Sequence, residues 1–313
     1  MVALTTGFGY AAVPNAVLNG SAPGAIEVLN LSGGGIAATI NVPNAQTVVA
    51  NPDGTQLLVF SSDSDSVTLV SPFSVNTGNP LTTIVPGFNR PVNAVFSGSG
   101  TAYILNCGPE CGGSGASASV QVLNLGATPS AGSSVGVDGA TIGLIQGTTL
   151  YVAGTPTASA SNSSPNNLCT GQTTSATTCG RLDLVDLASL TVTSSAVITD
   201  GYHDRIDMSG NGQLFIGSHT CTNVGNVNAP QGEVRGCLSI YNTATQAVVI
   251  PPDNGDVTGL QGFNDRFVEY VAEAGNLRVY DTTKNILLIN STLTTGTINI
   301  TGQIIDVKAV DFF

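Results

Sequence analysis

One short segment recurs six times along the 313-residue chain, and it restricts the fold more than any other feature of the sequence. It reads Ala25-Ile-Glu-Val-Leu-Asn-Leu31, Ser66-Val-Thr-Leu-Val-Ser-Pro72, Ser119-Val-Gln-Val-Leu-Asn-Leu125, Arg181-Leu-Asp-Leu-Val-Asp-Leu187, Cys237-Leu-Ser-Ile-Tyr-Asn-Thr243 and Asn276-Leu-Arg-Val-Tyr-Asp-Thr282. Each copy alternates apolar with polar residues, the period of a half-buried strand. Upstream of each lies a more continuously apolar strand: Tyr10–Val13, Leu57–Phe60, Ala102–Leu105, Leu150–Ala153, Leu214–Gly217 and Arg266–Val271. Continuous apolarity predicts burial on both faces. Turns such as Asn51-Pro-Asp-Gly54, Ser97-Gly-Ser-Gly100 and Ser209-Gly-Asn-Gly212 stand before several of these and follow a short first strand, for example Thr47–Ala50 or Val92–Phe96. Glycine at these sites supplies the positive φ that a hairpin turn requires. A fourth strand follows the recurring segment, as in Gly35–Val42 and Leu190–Ile198.

Units of roughly 40 to 60 residues, each a four-stranded antiparallel meander without helical periodicity, are the pattern of a β-propeller. The sequence therefore predicts a single all-β domain over 1–313 with six blades, seven being the alternative. The repeats fall at about 1–43, 44–88, 89–138, 139–200, 201–254 and 255–302. Residues 303–313 form a lone strand after the sixth unit, and a ring left open would expose sheet edges. The expectation is that this strand closes the ring by supplying an inner strand to the N-terminal blade. In the competing placement, Val2-Ala3-Leu4 fills that position and the tail begins an incomplete seventh blade.

The stretch Asn51–Val70, with its Pro-Asp-Gly turn, Leu57-Leu-Val-Phe60 strand and Ser66-Val-Thr-Leu-Val70 strand, resembles the YVTN-type (YncE-like) propeller repeat. Leu150-Tyr-Val-Ala-Gly-Thr155 and Leu277-Arg-Val-Tyr-Asp-Thr-Thr283 keep the same outline. The resemblance implies a secreted bacterial propeller, commonly seven-bladed, of a kind that serves as a binding scaffold, a surface-layer component or occasionally an enzyme. With zero Trp, the chain has no WD40 signature.

Charge narrows the partners. Lys+Arg number 8 against 20 Asp+Glu, so the net charge is -12 and the pI about 4.2, which repels a phosphate backbone and argues against nucleic-acid binding. Apolar runs stay well below the roughly 18 residues of a spanning helix, so no transmembrane segment is expected. The opening residues show neither a basic region nor an apolar core of a signal peptide, so no leader is visible in the sequence. The six cysteines fall into three local pairs, Cys107 with Cys111, Cys169 with Cys179 and Cys221 with Cys237. Read as structural disulfides, they predict an extracytoplasmic location: secreted, periplasmic or on the cell surface. The alternative is metal or redox chemistry, but Cys107-Gly-Pro-Glu-Cys111 lacks the C-x-x-C redox spacing. All three pairs lie between the second and third strands of their repeats, two of them bracketing insertions at about 156–180 and 220–236. The stapled loops are expected on one face, as a recognition surface or as protection against proteolysis.

Loops entering the innermost strands of a propeller cluster at one mouth of its channel, the default ligand site. By blade assignment these loops contribute Asn44, Arg90, Asp138, His203, Asp204, Arg205, Asp256 and Gln303. The densest group is Asp200-Gly-Tyr-His-Asp-Arg205, which places one of 2 histidines among three charged groups in a chain with 9% charged residues. It reads either as a ligand-binding cluster or as an ion pair of Arg205 with Asp204 beside a solvated His203. His219 reads as a loop hydrogen-bonding residue. Asp63 with Asp65, and Asp253 with Asp256, offer oxygens to Ca²⁺, though neither follows the twelve-position loop with its terminal Glu. No other metal, no cofactor and no catalytic residue is assigned. The expected function is a non-enzymatic extracellular binding or structural scaffold for a protein, glycan or small-molecule ligand, with self-association open to it. The alternative is a lactonase-like or other hydrolase with its site at the channel mouth.

Overall fold

A computed structural model describes residues 2–4, 7–16, 22–72, 81–98, 100–115, 117–157, 179–221, 237–251, 255–263, 265–290, 292–298 and 300–308. They form six antiparallel sheets. The first holds β1 (Val2–Ala3), β2 (Phe8–Val13), β3 (Ala25–Asn30) and β4 (Ile36–Asn41), and the second β5 (Ala45–Ala50), β6 (Leu57–Ser61), β7 (Ser66–Val70) and β8 (Thr82–Pro86). The third holds β9 (Pro91–Phe96), β10 (Thr101–Asn106), β11 (Ala118–Asn124) and β12 (Ser130–Val137). The fourth holds β13 (Ile142–Gln146), β14 (Thr149–Gly154), β15 (Gly180–Asp186) and β16 (Thr191–Ile198). The fifth is β17 (Tyr202–Met208), β18 (Gln213–His219), β19 (Leu238–Asn242) and β20 (Val248–Val249). The sixth is β21 (Val257–Phe263), β22 (Val268–Glu273), β23 (Asn276–Asp281) and β24 (Ile286–Leu287), with β25 (Thr297–Ile298) also pairing with β23. Apart from β25, the strands of every sheet are ordered as they occur in the chain, so each sheet is a meander of hairpins. By packing, the chain divides into two compact units, Met1–Thr148 with Leu187–Thr191 and Thr149–Asp186 with Val192–Phe313.

Within the first unit, β6 shows why the second strands are apolar throughout. Leu57 and Val59 join Tyr10, Ile26, Val28 and Ile40 of the first sheet in one buried cluster. Leu58 and Phe60 point the other way, into a cluster with Ala94, Ala102, Ile104 and Leu123 of the third sheet. All four side chains are at most 1% exposed, and each large one contributes about 1.5–3 kcal/mol by leaving water. The third strand β7 likewise sends Val70 to one cluster and Val67 with Leu69 to the other. Fourth strands are the exposed edges: in β8, Ile84 is 67% exposed. The turn Asn51-Pro-Asp-Gly54 closes with Gly54 N–H donating to Asn51 O at 2.9 Å, and Gly54 takes φ +67°, which a glycine adopts without strain.

In the second unit the same two-sided logic joins the fifth and sixth sheets. Phe215, Leu238 and Ile240 pack with Val257, Leu260, Val271 and Tyr280, and Phe215 meets the Tyr280 ring edge-on at 6.1 Å. Cys221 and Cys237 belong to this cluster and are disulfide-bonded, as are Cys107 and Cys111 in the first unit. Limiting the unfolded chain, the 16-residue separation of the former gives about 3 kcal/mol and the 4-residue separation of the latter about 2 kcal/mol. Cys179 is disulfide-bonded, and Cys169, its expected partner, lies outside the described residues.

The closing strand requires a correction. The inner position of the first sheet, assigned to residues 303–313, is occupied by β1, with Val2 opposite Tyr10 and Ala3 opposite Gly9. Val2 and Leu4 pack against the first-sheet cluster, so this short segment already buries the apolar surface that the tail was expected to cover. Residues 303–308 form no strand, and 309–313 lie outside the described residues. Ile304 N–H donates to Gly275 O at 3.2 Å, and Thr258 Oγ1 donates to Ile304 O at 3.3 Å, so 303–308 runs beside the sixth sheet.

Candidate functional site

A repeated irregularity prepares the site. The first strand of the second, third, fifth and sixth sheets skips one residue in its pairing with the second strand: Gln46, Val92, Asp204 and Thr258. Each is a one-residue bulge, which re-aims a side chain out of the ladder. The residue just before the bulge is Ala45, Pro91, His203 or Val257, and all four are buried. His203 thus occupies a core position that is apolar in the three other sheets.

The consequence is a division of the Asp200–Arg205 group. His203 is 0% exposed, its Nε2–H donates to Thr199 O at 2.9 Å, and Nδ1 has no hydrogen-bond partner. Burial holds its pKa down at about 4, outweighing the backbone hydrogen bond, so the ring is neutral. It is not the solvated neighbour of an ion pair. Asp204, re-aimed by the bulge, instead meets His219, which sequence reasoning had set aside: Nε2 of His219 lies 3.0 Å from Oδ1 of Asp204. Arg205 Nη1 stands 2.9 Å from Asp204 Oδ2, and Arg205 Nε donates to Thr258 O at 2.6 Å. On its other side His219 Nδ1 lies 3.7 Å from Asp256 Oδ2, while Thr220 N–H donates to Asp256 Oδ1 at 2.7 Å. Thr220 holds φ +57° to do so. The Cys237 Sγ lies 3.8 Å from Asp256 Oδ1, so the Cys221–Cys237 disulfide sits directly behind the cluster. Gly201, φ +93°, admits β18 closely, since a Cβ there would collide with His219 O.

The cluster is thus a chain of partners: Arg205, Asp204, His219, Asp256. Burial pushes the Asp204 carboxyl above the usual carboxylate range, with Arg205 and His219 pulling the other way. A half-buried carboxyl of raised affinity for protons, hydrogen-bonded to an imidazole, is chemically able to exchange a proton or accept hydrogen bonds from a polar ligand. What could have found His219 in the sequence is register: opposite Tyr202, it ends the strand paired with the bulged one.

The remaining candidates have other partners. Arg90 and Asn44 are in the first unit, both at positive φ. Arg90 N–H donates to Asp65 Oδ1 at 3.0 Å, its Nη1 lies 3.8 Å from Asp63 Oδ1, and Asn44 Nδ2 donates to Asp63 Oδ2 at 3.4 Å. The two carboxylates considered for Ca²⁺ therefore face a guanidinium and an amide. Asp253 is outside the described residues, and Asp256 is engaged as above. Among the described residues no group of three or more His, Cys, Asp or Glu is arranged to hold a metal ion. Asp138 follows β12 in the first unit, and Gln303 lies against Gly275. Among the described residues no helix is long and apolar enough to cross a membrane.

No protein-family model matches the sequence, and no curated protein sequence is similar to it. Its likeness is to solved structures. Hydrazine synthase of Kuenenia stuttgartiensis aligns with a TM-score of 0.59 at 16% identity, over 83% of this chain and 71% of that one. A chain of a mitotic checkpoint complex aligns at TM-score 0.52 and 13% identity over 84% and 69%. An Hsv2 protein with its loop 6CD replaced by a Gly-Ser linker aligns at TM-score 0.51 and 9% identity over 91% and 79%. These are β-propellers, and with six four-stranded antiparallel sheets the chain has a propeller fold.

Proposed function

We propose that this propeller is a non-enzymatic, extracytoplasmic binding scaffold of the YVTN-repeat kind. One observation carries the reading: two of the connections between second and third strands are stapled by disulfides. The β18–β19 connection spans 220–237 and is tied by Cys221–Cys237, and the β10–β11 connection is tied by Cys107–Cys111. The β22–β23 connection, by contrast, is the two-residue turn Ala274-Gly275 and has no cysteine. Long loops held at both ends on rigid sheets suit recognition, because less conformational freedom remains to be lost when a ligand binds. Disulfides suit an oxidising compartment. A chain with 9% charged residues and abundant Ser, Thr and Asn suits a neutral, hydroxyl-rich partner such as a glycan.

The test is binding of the intact oxidised protein to a panel of cell-envelope polysaccharides and their fragments. Replacing 223–235 by a Gly-Ser linker, with both cysteines kept, should abolish the binding while leaving the melting temperature within a few degrees. Undiminished binding by the loop-replaced protein would overturn the recognition role. A hydrolase reading draws on the Asp204–His219 pair. It would displace the scaffold reading if a screen of lactones and glycosides gave turnover that Asp204→Asn and His219→Ala both remove.

A further inference from the structure

The second unit contains a buried acid that the cluster above does not use. Glu269, on β22, is 0% exposed, and neither carboxyl oxygen receives a hydrogen bond from any donor group. Asp207, on β17 of the neighbouring sheet, is close enough for its charge to act on Glu269. Both carboxyls lie over Gly262: a Cβ there would stand 2.7 Å from Glu269 Oε2 and 3.5 Å from Asp207 Oδ2. Asp207 is fixed by two backbone donors, Gly262 N–H to Oδ2 at 2.6 Å and Met208 N–H to Oδ1 at 2.9 Å. Each of its oxygens has a second lone pair left for another donor. Two carboxyls can only hydrogen-bond each other through a proton, and burying both as anions side by side is the costliest arrangement open to them.

Among the described residues of the neighbouring strands, the cations are engaged with other groups. From β17 the nearest cation is Arg205, engaged with Thr258 O and Asp204. From β21 the neighbours are Gln261 and Gly262, both uncharged. From β23, Tyr280 stands opposite Glu269 and gives its hydroxyl to Glu273 Oε2 at 3.3 Å, and Arg278 pairs with Glu273, its Nε 3.3 Å away. From β18, Phe215 stands opposite Asp207. The same seam holds two further polar links between the fifth and sixth sheets, Asn211 Nδ2 to Thr282 O at 2.9 Å and Asn285 Nδ2 to Gln213 Oε1 at 3.0 Å.

We propose that Glu269 and Asp207 share one proton across the seam between the fifth and sixth sheets, and that losing this proton loosens the seam, making it a pH-sensitive latch. On opening, the Glu269 O–H bond breaks, its electron pair stays on the carboxyl oxygen, and the proton passes to water. Two anions then face each other over Gly262, and the Gly262 N–H to Asp207 bond is the first contact to suffer. The energetics support the geometry: burial first, then the Asp207 charge and hydrogen bond, raise the Glu269 pKa to about 9. A group bound more tightly by protons in the folded state stabilises fully below its unfolded value, 4.5, and that stability is lost as pH rises towards about 9.

The experiment follows thermal unfolding from pH 5 to 9.5 in the full chain, with Glu269→Gln as the permanent mimic of the protonated acid. The wild type should lose at least about 5 °C more across this range than the variant does. Infrared spectra at pH 7 should show a neutral-carboxyl stretch in the wild type that is missing from the variant, and amide-exchange protection of Gly262 should fall with rising pH in the wild type alone. Equal pH slopes, or no neutral carboxyl in the wild type at pH 7, would overturn the latch. Should Glu269→Gln fail to fold, Asp207→Asn gives the decision. With the facing charge removed, the neutral-carboxyl band should titrate at lower pH than in the wild type, and an unmoved midpoint refutes the shared proton.

Discussion

His203 shows how one side chain can be conspicuous in a sequence and yet have a structural rather than a surface role. The folded ring accepts a second proton only at about 4, whereas the unfolded ring does so at the ordinary value of 6.5. Its contribution to stability is therefore complete above 6.5 and is lost as pH falls towards 4, by about 3 kcal/mol in total. His203→Val places at this position the residue type found at Val257, and it should flatten the acid side of the stability profile; melting curves between pH 4 and 7 check it. The role was legible in principle, because aligning the bulge positions puts His203 with Ala45, Pro91 and Val257. It was not read, because a bulge shifts the strand's alternation by one residue, and the pattern of inward and outward residues cannot be followed across it without the partner strand. His219 was missed for the same reason: its closeness to Asp204 depends on pairing across strands, not on spacing along one.

Strands were more legible than the residues at their ends. The recurring segments at 25–31, 66–72, 119–125, 181–187, 237–243 and 276–282 mark β3, β7, β11, β15, β19 and β23, because period-two alternation suits a strand. The half-buried expectation is corrected in β15 and β19, where the polar Arg181, Asp183 and Ser239 are buried as well because both faces of these strands are covered. The uninterrupted apolar run of β6 marked a strand packed on both faces, and its residues do serve two clusters. That difference sets a contrast in stability. Phe60→Ala should cost about 3–5 kcal/mol and Leu57→Ala about 2–5 kcal/mol. Ile84→Ala, on the exposed edge β8, should cost under about 0.5 kcal/mol. Denaturant titration of the three variants measures this, and a large loss from Ile84→Ala would mean that this edge is covered in solution. The tail 303–308 misled because its composition suits a strand. A strand also needs a free edge of matching register, and in the first sheet β1 occupies it.

For the whole molecule, two buried groups with opposite responses to protons set a working range. Glu269 favours acid and His203 favours neutral or alkaline conditions, and their slopes oppose each other between 4.5 and 6.5. Stability is expected to form a plateau there, falling towards about 9 on one side and about 4 on the other. Unfolding midpoints collected every half pH unit would reveal a sloping line instead of a plateau if either group is misjudged. The plateau lies above the pI of about 4.2, so the protein remains anionic over the interval in which it is most stable. The recurrent bulge gives the molecule another property. Gln46, Val92, Asp204 and Thr258 each oppose no residue in the ladder, so exchanging one leaves every strand pairing intact. Among the described strand pairs, four such positions recur, and evolution or an engineer can rewrite the side chain at one without shifting the register of its sheet.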